Sequence, residues 1–236
     1  MNIIFIVGQT AVGKSSTLET LFKNQSSLQL LPNRRELTDQ IIIPEMLADT
    51  GQEVRPVKDR VERFALTAAY RKKYHTGVIH ALKLYLEAND LPQTAVVFDN
   101  IRGLEECQGA LETFHGARFI FLYAPPLVRL KRMLGRQDAF DSTQLALSDA
   151  DFKEKLEAIP GALETFGLGP LLELQATSDE TALLNAVKII ATEVQNYHAE
   201  QAAGYLKTHL DDNQLLYLDT SQLGIDEVSQ NIQDWL

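Results

Sequence analysis

Residues 8–16, GQTAVGKSS, carry side chains whose types and spacing point to a definite chemistry. They satisfy the spacing G-x-x-x-x-G-K-[ST], in which the backbone turns so that successive N–H groups meet phosphate oxygens. Glycine suits such a turn because it adopts conformations that residues with a Cβ resist. The lysine reaches the outer phosphates, and the serine hydroxyl can ligate an accompanying magnesium ion. The motif predicts a nucleotide site formed by Gly8, Gln9, Thr10, Ala11, Val12, Gly13, Lys14, Ser15 and Ser16.

A magnesium ion at this site needs a carboxylate, and Asp99 is the candidate. It closes the apolar run AVVFD at residues 95–99. The carboxyl ends of parallel strands face the crevice in which α/β proteins bind ligands, and magnesium prefers oxygen ligands. We therefore expect Ser15 and Asp99 to hold Mg²⁺ together. The alternative is that Asp99 only caps the helix that follows the strand.

The motif lies between a predicted strand and a predicted helix, which is the setting that it requires. Four runs are rich in Ile, Val, Phe, Leu and Tyr and do not alternate with polar residues. Such runs are typical of strands that are buried on both faces by helices, and they predict a mostly parallel central sheet in a layered α/β fold. They cover residues 3–7, 95–99, 118–124 and 215–219, with a weaker fifth run at 27–31.

Apolar residues at helical spacing fill the segments between these runs. They predict helices over residues 14–23, 57–88 with a break near Gly77, 103–114, 125–134 and 226–236. Residues 142–214 do not fit a repeating strand and helix unit, because their helical patterns are interrupted at Pro160, Gly161 and the turn GLGP. We expect a single domain over residues 1–236, with a helical insertion over 142–214 before the last strand.

Arginines gather in two segments beyond the weaker second run. Arg34 and Arg35 lie near Asp39 in LPNRRELTD, and Arg60 and Arg63 stand at helical spacing in DRVERF. The planar guanidinium group binds phosphate or carboxylate in two places, so these arginines suit an anionic substrate. A surface salt bridge is the alternative explanation for each of them taken singly.

Composition argues against several other classes of protein. The 236 residues carry a formal net charge of −10, whereas a nucleic-acid surface normally needs a basic excess. No apolar run reaches the roughly 18 residues of a membrane span, and MNIIFIVG lacks the basic start of a secretory signal. Cys107 is the one cysteine, so an internal disulfide cannot form. We expect a cytoplasmic protein with a packed thiol, without nucleic-acid or membrane partners.

The chain resembles the P-loop NTPase superfamily, and within it the adenylate-kinase-like and shikimate-kinase-like small-molecule kinases. Besides GQTAVGKS, FDNIRG at 98–103 is similar to the segment in which such kinases carry an acid and a substrate-binding arginine. Arg102 lies three residues after Asp99, a spacing that departs from their DGxPR form. LLYLDTSQLGIDEV is similar to their last strand and the loop against the adenine. The resemblance implies a three-layer P-loop NTPase fold, with ATP and Mg²⁺ as cofactors and Arg102 as an acceptor ligand.

APPLVRLKRMLGRQDAFD at 124–141 resembles the arginine-bearing lid that covers ATP in these kinases. Arg129, Arg132 and Arg136 are spaced i, i+3, i+7, so a helix would carry them along one face. The resemblance implies that Arg132 and Arg136 neutralise charge on the transferred phosphoryl group; a solvated basic face is the alternative. Asp39 would take the proton of the acceptor hydroxyl, by analogy with the acid after the second strand of shikimate-type kinases.

The leading hypothesis is an ATP- and magnesium-dependent phosphotransferase that acts on a small, anionic acceptor, with Lys14 following the moving charge. The chain lacks the guanine-reading N/T-K-x-D motif of Ras-like GTPases. Asn100 stands where many P-loop ATPases carry a water-activating glutamate, which favours transfer over hydrolysis, although Glu45 or Glu105 could substitute. Two alternatives stay open: an ATPase that couples hydrolysis to conformational change, and a nucleotide-sensing module that contacts a partner through residues 142–214.

Overall fold

The computed structural model describes residues 2–24, 28–89, 95–135 and 149–236. A π-helical segment, Thr38–Ile42, joins the second and third helices into one continuous run. In chain order the strands and helices are β1 (Ile3–Val7), α1 (Lys14–Asn24), β2 (Gln29–Leu30), α2 (Arg34–Leu37), α3 (Ile43–Asp49), α4 (Arg60–Lys73), α5 (Val78–Ala88), β3 (Val96–Ile101), α6 (Leu104–Thr113), β4 (Arg118–Tyr123), α7 (Pro126–Leu134), α8 (Asp149–Glu157), α9 (Ala162–Phe166), α10 (Leu168–Gln175), α11 (Glu180–Tyr197), α12 (Ala199–His209), β5 (Leu215–Asp219) and α13 (Ile225–Trp235).

The five strands form one sheet in the order β2-β3-β1-β4-β5, and every neighbouring pair is parallel. The first strand lies at the centre: Ile4 pairs with Val97 in β3 and with Arg118 in β4. All five residues of β1 are buried, which explains the continuous apolar run at the start of the sequence. At the edge, β2 is reduced to two exposed residues.

Helices cover both faces of this sheet, so the predicted three-layer α/β fold is confirmed. Successive side chains of β1 point to opposite faces. Ile4 and Ile6 pack with residues of α1 and α13, whereas Ile3, Phe5 and Val7 pack with residues of α5, α6 and α12. The predicted helix break is also confirmed, because α4 ends before Gly77 and α5 begins immediately after it.

The helices between α7 and α11 surround a core of their own, separate from the two faces of the sheet. Leu130 of α7 packs there with Phe152, Leu156, Leu183 and Ile190. The helix α12 also lies within the predicted insertion, but its buried side chains join the core on the sheet. Residues 142–148 of the predicted insertion lie outside the described residues. Within the described ranges, no helix is both long and apolar enough to cross a bilayer.

Gly103 lies where α6 begins against the last residue of α11. A Cβ at this position would lie 2.7 Å from the Cα of Tyr197 and closer still to its carbonyl oxygen. Backbone cannot move aside as a flexible side chain can, so we expect Gly103→Ala to lower the free energy of unfolding by about 2–3 kcal/mol. Urea denaturation measures this loss.

Gly204, inside α12, is the matched control, because a Cβ there would meet nothing within 4 Å. We expect Gly204→Ala to raise the free energy of unfolding by up to about 1 kcal/mol through helix propensity. Equal unfolding midpoints for Gly103→Ala and the wild type would contradict the close approach of the two helices.

Candidate functional site

Residues 8–16, called here the glycine loop, connect the buried strand β1 to the first turn of α1. Gly13 has φ +101°, a value that side chains with a Cβ rarely adopt. Helix α1 begins at the next residue, and the Thr17 N–H donates to the Gly13 carbonyl at 3.0 Å. Ala11 also has a positive φ, +62°, which the motif did not predict. The helix therefore starts with N–H groups free of intrahelical partners at the carboxyl edge of the sheet.

Gly8 is needed for a different reason: there is no room for a side chain at this position. Its N–H donates to the Ile101 carbonyl at 3.0 Å. A Cβ on Gly8 would lie 2.8 Å from Val12 Cγ2 and 3.1 Å from the Leu122 carbonyl oxygen. The start of the glycine loop is thus enclosed by β3, β4 and the loop itself. The loop therefore follows the central strand of a parallel sheet in a layered α/β fold.

Lys14 folds back over the glycine loop. Its Nζ donates to the carbonyl oxygens of Gly8 and, at 3.2 Å, of Gln9. Burial and, to a smaller extent, the nearby charge of Arg102 lower the pKa of Lys14, whereas Asp99 and Glu193 act in the opposite direction; the net result is a pKa of about 8. The ammonium group therefore lies where positive charge is incompletely compensated, and an anion would be attracted there.

Asp99 lies near the end of β3, the strand next to β1. Burial raises the pKa of its carboxyl group, while the charge of Lys14 and a hydrogen bond from Asn100 Nδ2 oppose this rise. Ser15 is exposed in the first turn of α1. An exposed hydroxyl and a partly buried carboxylate are suitable oxygen ligands for magnesium, which keeps several waters and binds few protein groups. Within the described ranges, no three His, Cys, Asp or Glu side chains form another potential metal site.

Arg102, predicted as an acceptor ligand, lies beside the glycine loop. Its guanidinium group is 3.9 Å from a carboxylate oxygen of Glu193 and 5.9 Å from the ring centre of Tyr197. Its side chain is 39% exposed, and its charge acts on Lys14. A partly exposed arginine with one long ion pair can turn toward a bound phosphate at little cost.

Arg129, from the predicted lid helix, is buried beneath the glycine loop. Its Nε donates to the Thr10 carbonyl at 2.8 Å, and its two Nη atoms donate to the side chains of Gln9 and Glu193. Burial lowers the pKa of Arg129, and Glu193 counteracts that effect. Only 1% of the side chain is exposed. In this structure Arg129 therefore binds the protein's own loop.

Arg132 contacts both the glycine loop and Thr220, the residue after β5. Its Nη1 donates to the Ala11 carbonyl at 3.3 Å and to Thr220 Oγ1 at 3.0 Å, and its Nη2 donates to the Thr220 carbonyl at 2.5 Å. Thr220 itself donates to the Val12 carbonyl at 2.8 Å. These bonds join the loop to the end of β5. Arg136, the other predicted lid arginine, lies outside the described residues.

Glu193 was not identified from the sequence. It belongs to α11 and is buried, yet it accepts hydrogen bonds from Thr10 N at 3.1 Å and from Thr10 Oγ1 at 2.5 Å. The available signal was its position in the helix: it stands three residues after Ile190 and seven after Ala186, both buried. A carboxylate within an apolar helical stripe needs a partner inside the protein.

A concave region lies beside α3 and α4. This basic cleft has a volume of about 480 Å³. It brings together three of the predicted residues, Arg35, Asp39 and Arg63; Arg63 donates to the Asp39 carboxylate and, at 3.0 Å, to the Val57 carbonyl. Two cations of the cleft were not predicted. The cleft is lined by Arg35, Asp39, Ile43, Pro44, Val54, Arg55, Pro56, Val57, Lys58 and Arg63.

The other two predicted arginines do not line the basic cleft. Arg34 donates to the Asn100 carbonyl at 2.9 Å and to Glu106 at 2.5 Å, so it ties α2 to the end of β3 beside Asp99. Arg60 lies on the outside of α4, 5.6 Å from the ring centre of Phe64.

Asp39 lies on the π-helical segment between α2 and α3. The Ile43 N–H donates to the Thr38 carbonyl, five residues back. Pro44 explains this widening: proline has no N–H to donate, and its ring would clash with the carbonyl four residues back in a regular helix. Single π-turns within helices are frequent at functional sites.

No family model matches the chain, and neither does any curated protein. Among solved structures, a sulfotransferase from Alicyclobacillus acidocaldarius is similar with 15% identity and a TM-score of 0.44, over 100% of this chain and 80% of that chain. A sugar kinase from Janibacter sp. HTCC2649 has 13% identity and a TM-score of 0.42, over 100% and 94%. A tRNA isopentenylpyrophosphate transferase from Bacillus halodurans has 11% identity and a TM-score of 0.41, over 99% and 95%.

Proposed function

We propose that the protein is an ATP- and magnesium-dependent phosphotransferase that acts on a small anionic acceptor. The observation that carries the proposal is the conformation of the glycine loop. Gly13, at φ +101°, turns the chain from the buried strand β1 directly into α1, whose first residue is the partly buried Lys14. Free N–H groups at a helix start, next to an ammonium group whose charge is incompletely compensated, form a site for a polyphosphate.

Each donor-site residue has a separate task in this proposal. The loop N–H groups and the start of α1 hold the β- and γ-phosphates, and Lys14 stays with the charge as it moves. Ser15 and Asp99 hold magnesium, which when bound neutralises charge on the phosphate oxygens. Arg102, whose charge acts on Lys14, is assigned to the transferred phosphoryl group instead of the acceptor. Arg132 holds the Ala11 carbonyl of the loop in place. Arg136 is proposed to neutralise charge on the transferred phosphoryl group, as the sequence predicts.

The basic cleft is the proposed acceptor site. Four cations line it against one carboxylate, that of Asp39, so it favours an acceptor with a phosphate or carboxylate group. Asp39, held by Arg63, takes the proton of the acceptor hydroxyl. Arg34 supports a link between the two sites, because it bonds the helix run that carries Asp39 to the carbonyl next to Asp99.

A coupled assay of ADP release tests the proposal. Purified protein with ATP and magnesium is screened against hydroxy acids, sugar phosphates, nucleosides and nucleotides, each with a no-acceptor control. The proposal requires ADP release that depends on an acceptor, with one anionic compound clearly best. Steady release without an acceptor would instead support a hydrolytic ATPase, and tight ATP binding without release would support a sensing module.

We expect Asp39→Asn to reduce kcat for the acceptor by about 10²–10⁴-fold, because the general base is lost. The affinity for ATP should not change, since no residue that lines the basic cleft belongs to the glycine loop. Asp49→Asn is the control: Asp49 ends the same helix run, is exposed and pairs with Lys73 outside the cleft. A similar loss of kcat in both variants would remove Asp39 from the mechanism.

A further inference from the structure

Glu193 places a buried carboxylate against the outer side of the glycine loop. Glu193 is 5% exposed. Its two carboxylate oxygens accept hydrogen bonds from Thr10 N, at 3.1 and 3.4 Å, and one of them accepts from Thr10 Oγ1 at 2.5 Å. The Glu193 carbonyl also accepts from Gln9 Nε2 at 3.3 Å. One residue of α11 therefore satisfies three polar groups on two consecutive residues of the loop.

The cations around Glu193 belong to the same site. Arg129 pairs with its carboxylate and donates to the Thr10 carbonyl, so both the N–H and the C=O of Thr10 are held. Arg102 lies 3.9 Å away on the side of Lys14. Burying an ion pair has a large desolvation cost, and replacing it with apolar residues often leaves the protein equally stable, so a gain in stability explains this arrangement poorly. A role in fixing the backbone of the loop explains it better.

We infer that Glu193 is a positioning residue of the nucleotide site, which sets the glycine loop through Thr10 and Arg129 before phosphate arrives. The inference rests on the proposed function for its ligand. It gives α7 and α11 a part in nucleotide binding that acts through the loop, because Arg129 and Glu193 hold the loop in place. A loop whose N–H groups are already in position binds phosphate more tightly, because a mobile loop must be ordered on binding and this lowers the affinity.

Glu193→Gln is the direct test, because glutamine keeps the size of the side chain and replaces one oxygen with an NH₂ group. That group faces donors on Thr10 and Arg129, so only one of the two acceptor positions is retained. At metal sites, loss of comparable supporting contacts typically weakens binding by about 10–100-fold. We expect isothermal titration with ATP, and with inorganic tripolyphosphate, to show a Kd at least tenfold higher than in the wild type. Both ligands should be affected equally, since the loop contacts phosphates alone.

Glu180→Gln is the matched control. Glu180 begins the same helix, and its ion pair with Lys155, at 2.9 Å, involves no loop residue. Titrations are made well below the melting temperature of each variant, so that a general loss of stability does not change the Kd. Glu180→Gln should bind both ligands as the wild type does. An unchanged Kd in Glu193→Gln, or an equal loss in Glu180→Gln, overturns the inference.

Hydrogen exchange without nucleotide separates this inference from the proposed function. The Thr10 amide is protected by its bond to Glu193, so its exchange should accelerate at least tenfold in Glu193→Gln, with β1 and β4 amides unchanged. If wild-type protein binds neither ATP nor tripolyphosphate, the proposed function fails, and the exchange rates then decide whether Glu193 holds the loop. Equal Thr10 exchange in Glu193→Gln and wild type overturns the inference in either case.

Discussion

Lys14→Met is expected to abolish phosphoryl transfer and, at neutral pH, to stabilise the protein in the absence of nucleotide. Transfer should fall at least about 10³-fold, because the cation that follows the moving charge is removed. Stability should rise because burial lowers the Lys14 pKa from 10.5 to about 8. Below pH 8 the folded protein carries a charge that its surroundings disfavour. After allowance for solvent and for the lost hydrogen bonds, we expect a gain of about 1–2 kcal/mol in unfolding free energy.

The pH dependence of this gain has a definite sign. Between pH 8 and 10.5 the unfolded chain binds more protons than the folded one at Lys14, so wild-type stability from this group rises with pH. The advantage of Lys14→Met should therefore shrink across that window. Urea denaturation at a series of pH values measures it. Lys23→Met, which changes an exposed lysine of the same helix, is the control, and a Lys14→Met protein less stable than wild type at pH 7 would contradict the prediction.

The same shift predicts proton uptake when ATP binds. A polyphosphate beside Lys14 raises its pKa, and at pH 8 about half of the free molecules lack that proton. Wild type should take up roughly half a proton at this residue, measured by titration calorimetry in buffers of different ionisation enthalpy. Lys14→Met should lack this contribution. Uptake that is equal in the two proteins would show that Lys14 does not meet the phosphates.

Arg129→Met is expected to cause the largest loss of stability, about 3–5 kcal/mol in unfolding free energy. Breaking a buried pair leaves the other charge without compensation, and Glu193 would then be that charge. The substitution also removes the bonds to the Thr10 carbonyl and to Gln9. Chemical denaturation measures the effect. Lys155→Met, which removes an exposed partner of Glu180, should cost less than about 1 kcal/mol.

A double-mutant cycle makes the Arg129 prediction specific. Because both residues act in one network, Arg129→Met combined with Glu193→Gln should lose less than the sum of the single losses, by about 1–3 kcal/mol. Strict additivity, or a single loss below about 1 kcal/mol for Arg129→Met, would show that the buried pair does not hold the loop.

The central strands could be predicted because their burial leaves a mark on the local sequence. β1 is buried on both faces and is therefore apolar at every position. Its edge counterpart β2 has only two residues, both exposed, and Leu30 is 48% exposed. An edge strand of that length needs few apolar residues, so the sequence indicated it only weakly. The turn at Gly77 could be predicted from the sequence because glycine commonly interrupts a helical pattern, whereas helix-forming residues continue it.

The same distinction applies to the site: some of its features follow from neighbouring residues in the sequence, and others depend on contacts between distant residues. The glycine loop is a continuous motif, so its residues could be identified together. The behaviour of Arg34 and Arg35 could not be, because neighbouring helical residues point about 100° apart: one binds the Asn100 carbonyl and the other faces the basic cleft. Glu193 is 183 residues from Thr10, and sequence spacing carries no information about such a contact.

That separation has a consequence for the order in which the molecule is made. The central strand β1 precedes the other four strands of the sheet, so it cannot acquire both neighbours until β4 has been synthesised. The glycine loop likewise lacks its carboxylate partner until α11 has left the ribosome. Contacts so distant along the chain close slowly and late. The glycine loop is therefore synthesised long before its partner, and it acquires its complete set of hydrogen bonds only after α11 has been made.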